Sequence, residues 1–377
     1  MSIRTTHVGS LPRPAEMIAR TLKKEEIPPS DIRGYVEEVV TRQLELGIDY
    51  VNNGELPRRD YVSSTMERIS GMGGEAIAPL PRDLEEMPEY SRRFSGRNSL
   101  ITLNPKAPVS LPACNSEITY TGEASLRDEL DQTVDVFAKH NKNLPGSELF
   151  FTAPSPGTVA LFFQNQFYPG YRSYLERLGE VLATEYQIIA DSGAMLQIDC
   201  PDLAMGRHTG YKNDTDDEFL ETIDTNIGVL NEALANLPAD RLRVHVCWGN
   251  YPGSHHCDVD LETIYPSILR LRPRFISIES CNHRHSHEVE FIKRSPFPDD
   301  KVLLPGVIDT NSQTVEHPEM VALRLIDFAD ALGPERVIAS TDCGFASTAS
   351  ATTVAGEIAW LKLAAMVEGA KRATDRL

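Results

Sequence analysis

The second half of the sequence contains a small set of side chains with the chemistry of a metal site. His245 and Cys247 lie two residues apart at the end of an apolar run. Cys343 ends another such run, and Glu279 ends a run between the two. Residues two apart on a strand point to the same side, so the imidazole and the thiol can reach one ion. Nitrogen and thiolate ligands are typical of zinc, and a carboxylate adds a weaker oxygen ligand. We therefore predict a zinc site formed by these four side chains.

The H-x-C pair is a weak signal on its own, because a buried cysteine beside a core histidine has the same spacing. The strand-end positions of Glu279 and Cys343 favour the metal site. Two thiolates and one imidazole balance the charge of zinc, so a third thiolate from a substrate stays nucleophilic. Zinc hydrolases more often use histidines and carboxylates. The ligand set therefore indicates thiol activation for attack on carbon.

Three further residues have the chemistry to hold an amino-acid thiol such as homocysteine. Glu55 and Asp199 provide carboxylates for an ammonium group, and Ser10 with nearby backbone donors suits a carboxylate. For Glu55 an alternative stays open, a surface ion pair with Arg58 or Arg59.

These residues follow short β-rich apolar runs that alternate with amphipathic helical patterns. Strands separated by helices imply βαβ units and a parallel sheet, and eight units close it into a (β/α)8 TIM barrel. An open doubly wound sheet is the alternative, but its G-x-G-x-x-G fingerprint does not follow an early strand. The predicted strands are Ile3–Val8, Ile48–Asn53, Glu148–Thr152, Ala194–Asp199, Leu242–Cys247, Arg274–Glu279, Lys301–Gly306 and Arg336–Ser340.

The barrel architecture explains why the chemical residues stand where they do. The active sites of such barrels lie on the loops at the carboxyl ends of the strands. Polar or metal-capable residues end seven of the eight predicted strands, Asp309 after the seventh among them. We expect these residues to meet at one rim.

The stretch 71–122 interrupts the alternation and is rich in Pro, Arg and Gly, with β-like pieces at Ser99–Leu103 and Glu117–Tyr120. We predict a hairpin-like insertion after the second unit, over or beside the barrel mouth. A solvated elaboration without function is the alternative. Residues 1–377 are otherwise predicted to form one barrel domain.

The amino-acid composition limits the kinds of partner that we expect the protein to bind. The formal net charge of −18 disfavours phosphate backbones and anionic lipids, so we expect neither nucleic-acid nor membrane binding. Six scattered cysteines, without an apolar leader or a membrane-length apolar stretch, are typical of a cytoplasmic protein with reduced thiols. We expect a small-molecule substrate, and the oligomeric state stays open.

The sequence resembles the catalytic barrel of cobalamin-independent methionine synthases and their short relatives. The resemblance spans nearly the whole chain and implies zinc ligands at His245, Cys247, Glu279 and Cys343. It also implies homocysteine contacts at the Gly9-Ser10 segment, Glu55 and Asp199. The matching segments, in the order that the superfamily uses, are Thr6–Arg13, Gly54-Glu55, Gln197–Asp199, His245–Cys247, Ile278–Ser280 and Asp342–Gly344.

Two departures from that family concern the methyl donor. Such synthases usually carry a second barrel that helps to hold folate, and this chain has room for one. The family histidine thought to assist proton delivery to the folate is replaced here by Asn311. The residues that could substitute for it are His7, His255, His256 and His283.

A short branch of the superfamily, the epoxyalkane–coenzyme M transferases, is also similar, in length and in Cys247–Gly249, Arg284–Glu288 and Val315–Pro318. We interpret Arg284–Glu288 as a solvated helix start rather than a site. Three hypotheses follow: methylation of homocysteine or another thiol by a folate or simpler donor, opening of an epoxide by a thiol such as coenzyme M, and a non-catalytic zinc barrel. The need of homocysteine for acidic partners favours the first.

Overall fold

The computed structural model describes residues 2–23, 25–94, 100–141, 148–347 and 353–377. Eight parallel strands form one sheet, and every one of them overlaps a predicted strand. These strands are β1 Arg4–Thr5, β2 Tyr50–Val51, β5 Glu148–Pro154, β6 Met195–Asp199, β7 Leu242–Val246, β8 Phe275–Ile278, β9 Val302–Ile308 and β10 Ile338–Thr341.

The sheet runs in the spatial order β1-β10-β9-β8-β7-β6-β5-β2, so each strand lies beside its neighbours in the chain. Its two edge strands also contact each other, and the backbone N–H of Asp49, just before β2, donates to the carbonyl of Thr5 at 3.2 Å. The side chain of Asp49 also accepts from the N–H of Thr5 at 2.7 Å. The sheet is thus a nearly closed barrel, and the predicted TIM-barrel fold is confirmed.

Helices cover the outside of the barrel. The longer ones carry apolar residues on the face that packs against the strands, as their sequence periodicity predicts. The helices are α1 Ala15–Leu22, α2 Pro29–Leu46, α3 Ser63–Met66, α4 Arg82–Glu86, α5 Pro88–Ser91, α6 Glu123–His140, α7 Pro156–Phe162, α8 Tyr171–Asp191, α9 Asp216–Ala233, α10 Leu261–Ile268, α11 Glu288–Ile292, α12 Pro318–Leu332 and α13 Gly356–Thr374.

The core has two parts. A large apolar cluster lies between strands and helices. A separate cluster draws only on strand residues, including Phe150, Met195 and Leu304, and we assign it to the barrel interior. The side chain of Arg243 lies over the ring of Phe150 at 4.1 Å, so a buried cation follows this apolar layer on β7. His245 and Cys247 follow Arg243 at every second position, so their side chains lie on the same face of the strand. They come closer to its carboxyl end, which is the mouth of the barrel.

The insertion predicted at 71–122 is present between β2 and α6. It contains a two-stranded antiparallel sheet of β3 Gly74–Ile77 and β4 Ser110–Ala113. The β-like pieces expected there are not strands: Ser99 lies outside the described residues, Leu100–Leu103 is irregular, and Tyr120 forms an isolated bridge with Ile69. Local β propensity cannot determine a pairing between segments so far apart in sequence.

The insertion lies over the rim of the barrel, as predicted. The phenol of Tyr90 donates to the carbonyl of Pro252 at 2.6 Å, and the phenol of Tyr251 donates to Asp83 at 2.8 Å. Both contacts involve the loop that follows β7. No helix of the described chain combines the length and the apolar composition needed to cross a membrane.

Candidate metal and thiol site

Three of the four predicted metal ligands form a compact group at the carboxyl ends of the strands. One donor atom each from His245, Cys247 and Cys343 lies within 4.8 Å of the other two. The two sulfur atoms are 3.8 Å apart. All three residues are at most 9% exposed, so the group is shielded from bulk water.

The imidazole of His245 is oriented for a ligand. Its Nδ1 lies 3.3 Å from the hydroxyl of Ser277 on the neighbouring strand β8. Its buried Nε2 has no hydrogen-bond partner among the described residues. Burial lowers the pKa of His245 to about 3, so the ring is neutral. A neutral imidazole with a free nitrogen is the form that binds a metal.

Burial and mutual interaction disfavour the charged forms of the acidic side chains at this site. The hydrogen bond with Cys343, together with burial, raises the pKa of the Cys247 thiol well above its usual value. Burial and the charge of Cys247 raise the pKa of Glu279 in the same way. A divalent cation would reverse these shifts because it stabilises the deprotonated forms. The donor set therefore fits zinc.

Glu279 is adjacent to this group but not part of its compact core. Its Oε1 accepts from the backbone N–H of Trp248 at 2.8 Å, and its Oε2 accepts from the amide of Asn282 at 3.0 Å. Both oxygens therefore have other partners. A carboxylate held in this way is suited to a displaceable ligand role.

Asp342 orders the loop that carries Glu279. Its carboxylate accepts three backbone N–H groups, from Ser280 at 2.8 Å, Cys281 at 2.8 Å and Asn282 at 2.9 Å. It directly precedes Cys343 in the chain. One side chain thus fixes the relative positions of the β8 and β10 loops.

Glu55 and Asp199 are both buried near the mouth, close enough for the charge of Glu55 to act on Asp199. Burial, followed by the charge of Glu55, raises the pKa of Asp199 well above its usual value. Burial also raises the pKa of Glu55, whose Oε1 accepts from the hydroxyl of Thr152 at 2.8 Å. Within the described ranges neither carboxylate forms an ion pair within 4.0 Å. The surface ion pair considered for Glu55 does not occur: Glu55 is buried, Arg58 pairs with Glu129 at 2.9 Å, and Arg59 forms no ion pair in the part of the chain that the structure describes.

The backbone around Glu55 is specialised. Its φ of 57° is in the left-handed region that non-glycine residues seldom adopt. The amide of Asn53 holds this turn by accepting the N–H of Glu55 at 2.9 Å. A Cβ on Gly9, in the loop after β1, would lie 2.5 Å from Oε1 of Glu55. Only glycine at this position lets the loop approach the carboxylate so closely. Strain of this kind is frequent at functional sites.

Ser10 lies beside the loop of Cys343. Its hydroxyl accepts from the N–H of Ala346 at 3.3 Å. A Cβ on Gly344 would lie 2.1 Å from the same hydroxyl, so the two loops are in direct contact. The predicted carboxylate-binding segment is thus next to the predicted metal ligands.

The remaining predicted residues lie elsewhere. His7 is buried against α2, where its Nε2 is 2.8 Å from the amide oxygen of Gln43. His283 is exposed on the loop after β8. Asp309 is half-buried, and its carboxylate accepts the N–H of Asn311 at 2.8 Å, which makes a local turn. The structure does not bring these three to the metal ligands.

Sequence reasoning missed a buried charged cluster beside this site. Asp258 lies 3.1 Å from Nε2 of His285 and 3.1 Å from Nδ1 of His255. Burial opposes a charge on His285, but hydrogen bonds to Asp258 and Glu288 raise its pKa to about 10. His285 and Glu288 are buried, so the interpretation of Arg284–Glu288 as a solvated helix start is wrong for these two residues, whereas Ser286 and His287 are exposed. The i,i+3 spacing of His285 and Glu288 places both on one side of a helical turn, but it does not predict their burial.

This cluster helps to hold the predicted metal ligands Cys247 and Glu279 in place. The rings of His285 and Trp248 are 4.5 Å apart, and Trp248 directly follows Cys247 and binds Glu279 through its N–H. The cluster therefore positions the segment between two predicted ligands.

Comparison with known proteins agrees with this architecture. A "methionine synthase" of Sulfurisphaera tokodaii is 25% identical over 99% of this chain and 93% of its own length. A "2-hydroxypropyl-CoM lyase" of Xanthobacter autotrophicus is 28% identical, over 39% of this chain and 44% of its own length. A B12-independent methionine synthase from a Shewanella species, solved with selenomethionine, has the same fold, with a TM-score of 0.73, 18% identity and coverage of 100% and 99% of the two chains.

The family model described as "Cobalamin-independent synthase, Catalytic domain" matches residues 172–372, which include all four predicted metal ligands. The chain therefore belongs to the cobalamin-independent methionine synthase catalytic-domain family.

Proposed function

We propose that this protein is a zinc-dependent enzyme that transfers a methyl or alkyl group to the sulfur of a thiol, with homocysteine as the acceptor. The observation that carries the proposal is the group of His245, Cys247 and Cys343, whose donor atoms lie within 4.8 Å of one another. When bound there, zinc would favour the deprotonated, nucleophilic form of the substrate thiol.

The other residues would select and orient the acceptor. Glu55 and Asp199 present two carboxylates without ion-pair partners among the described residues, which suits the ammonium group of an amino acid. Backbone donors near Ser10 would hold its carboxylate. Glu279 would give up its place to the incoming sulfur, because Trp248 and Asn282 already satisfy its oxygens.

A sequence relative and a solved structure both support this proposal. A relative that matches nearly the whole chain is a methionine synthase, and a methionine synthase with the same fold was solved with selenomethionine, the selenium analogue of methionine. The match to the coenzyme M lyase covers 39% of the chain. Coenzyme M has a sulfonate and no amine, so the acidic pair favours homocysteine over that alternative.

The test is a thiol-by-donor activity screen with the zinc-loaded protein. Homocysteine, coenzyme M and cysteine would each be combined with methyl-folates, simpler methyl donors and an epoxide. We expect alkylation of homocysteine with at least one methyl donor. Alkylation of coenzyme M alone would support epoxide opening instead, and no thioether from any thiol would contradict both.

A further inference from the structure

A second group of potential metal ligands lies outside the barrel mouth. Glu86, His256 and Cys257 each offer one donor atom, and these atoms lie within 4.8 Å of one another. Oε2 of Glu86 is 2.9 Å from Nε2 of His256 and 3.9 Å from the sulfur of Cys257. Glu86 ends helix α4 of the insertion, whereas the other two belong to the loop after β7.

The distances are within about 0.5 Å of those in a tetrahedral zinc site. With zinc bonds of about 2.0–2.1 Å to nitrogen and oxygen and about 2.3 Å to sulfur, ligand atoms are about 3.4–3.6 Å apart. The observed separations of 2.9 and 3.9 Å bracket that range. Small side-chain rotations would make room for an ion. Three protein ligands leave a fourth position for water.

Neighbouring groups already orient two of the ligands. The hydroxyl of Ser254 is 2.7 Å from Nδ1 of His256, which directs Nε2 toward Glu86. Arg82 donates to Oε1 of Glu86 at 2.9 Å and leaves Oε2 for the ion. A hydrogen bond to the second nitrogen of a histidine ligand is a regular feature of protein metal sites.

The backbone on both sides of the group is also fixed. Asp83, in the first turn of α4, is fully buried and accepts the N–H of His255 at 3.0 Å and the phenol of Tyr251 at 2.8 Å. His255 has a φ of 54°, in the left-handed region, and its side chain binds Asp258. This strained turn sets the positions of the two residues that follow.

The charge around the thiol favours a cation. Burial and then the charges of Glu86 and Asp83 raise the pKa of Cys257. Arg82 acts in the opposite direction but is the smaller influence. A divalent ion would offset the negative charges and favour the thiolate.

We propose that Glu86, His256 and Cys257 form a second zinc site, which fastens the insertion to the loop that begins at Cys247. The ligand types are those of zinc, and they come from two segments, the insertion and the loop after β7. This proposal does not depend on the proposed reaction.

The test is zinc stoichiometry by equilibrium titration against a chromophoric chelator, on the full chain stripped of metal. We expect about two zinc ions per chain in the parent and about one in Cys257→Ser and in His256→Ala. His287→Ala, at an exposed histidine on a nearby loop, is the matched control and should keep the parent value.

A cobalt titration gives a second readout. In the Cys247→Ser/Cys343→Ser background, which leaves the barrel site without a thiolate, Co²⁺ should produce a thiolate charge-transfer band that is lost on adding Cys257→Ser. Unchanged zinc content and an unchanged band after Cys257→Ser would overturn the outer site. Unchanged zinc content after Cys343→Ser would instead contradict the barrel site, so the two proposals fail separately.

Discussion

The sulfur atoms of Cys247 and Cys343 lie 3.8 Å apart, although 96 positions separate the two residues in sequence. They follow β7 and β10, which are not neighbours, because β8 and β9 lie between them in the sheet. The curvature of the barrel brings their ends together across the mouth. The pair therefore depends on the closed fold, and with His245 it defines the site on which the proposed chemistry rests.

Removing a ligand should release the barrel zinc. Cys343→Ser and His245→Ala each leave two strong ligands, so we expect the zinc affinity of this site to fall by at least about 100-fold. Competition with a chromophoric chelator measures it. Cys114→Ala, at a buried cysteine in the insertion, is the control and should leave the affinity unchanged. Parent-like affinity in both ligand variants would rule out the assignment.

The carboxylates of Glu55 and Asp199 should determine which thiols bind. Glu55→Gln and Asp199→Asn remove one carboxylate each, and a charged hydrogen bond contributes about 1.5–3 kcal/mol. We therefore expect KM for homocysteine to rise about 10- to 100-fold. A thiol without an amino group, such as coenzyme M, provides the matched control. An equal rise in KM for both thiols would mean that Glu55 and Asp199 do not bind the ammonium group.

The buried cluster of Asp258, His255, His285 and Glu288 should make the free energy of unfolding depend on pH. The pKa of His285 is about 10 in the folded protein, against 6.5 for a histidine in an unfolded chain. The raised pKa contributes stability that is fully present below pH 6.5 and is lost as pH rises toward 10. We expect the free energy of unfolding to fall by up to about 1.4 kcal/mol per pH unit in that window.

Denaturant unfolding of His285→Gln tests this dependence. The variant should be less stable at pH 6.5 and should show a flatter decline toward pH 10 than the parent. His287→Gln, at an exposed histidine two residues away, should follow the parent curve. Parallel curves for the parent and His285→Gln would show that this residue carries no raised pKa.

Asp342 should influence zinc binding without touching the metal. Asp342→Asn places an amide opposite three backbone N–H donors and loosens the loop of Glu279. Changes to such supporting residues cost about 10- to 100-fold in metal affinity. Asp309→Asn is the control, since Asp309 accepts a single backbone N–H. Equal zinc affinities in the two variants would speak against a positioning role for Asp342.

The barrel could be predicted from the sequence because its signal is local and repeated. Each strand, such as Leu242–Val246, is a short apolar run flanked by helical periodicity, and the TIM barrel determines where strand ends meet. His245, Cys247 and Cys343 could be found for that reason. The strands of the insertion could not, because the pairing of Gly74 with Ala113 depends on tertiary contacts.

The charged cluster around Asp258 could not be predicted for a different reason. Its contacts come from the loop after β7, from the start of α11 and, through Asp83, from the insertion. No periodic pattern relates these segments, and a histidine and a glutamate at a helix start usually face solvent. Their burial follows from the position of the insertion over the rim.

The central claim is that the barrel zinc binds the substrate thiol directly. X-ray absorption at the zinc edge tests it most directly, using Cys257→Ser so that only the barrel site contributes. On adding homocysteine we predict one more sulfur ligand at about 2.3 Å and the loss of one oxygen or nitrogen ligand. An unchanged coordination shell at saturating homocysteine would contradict the account.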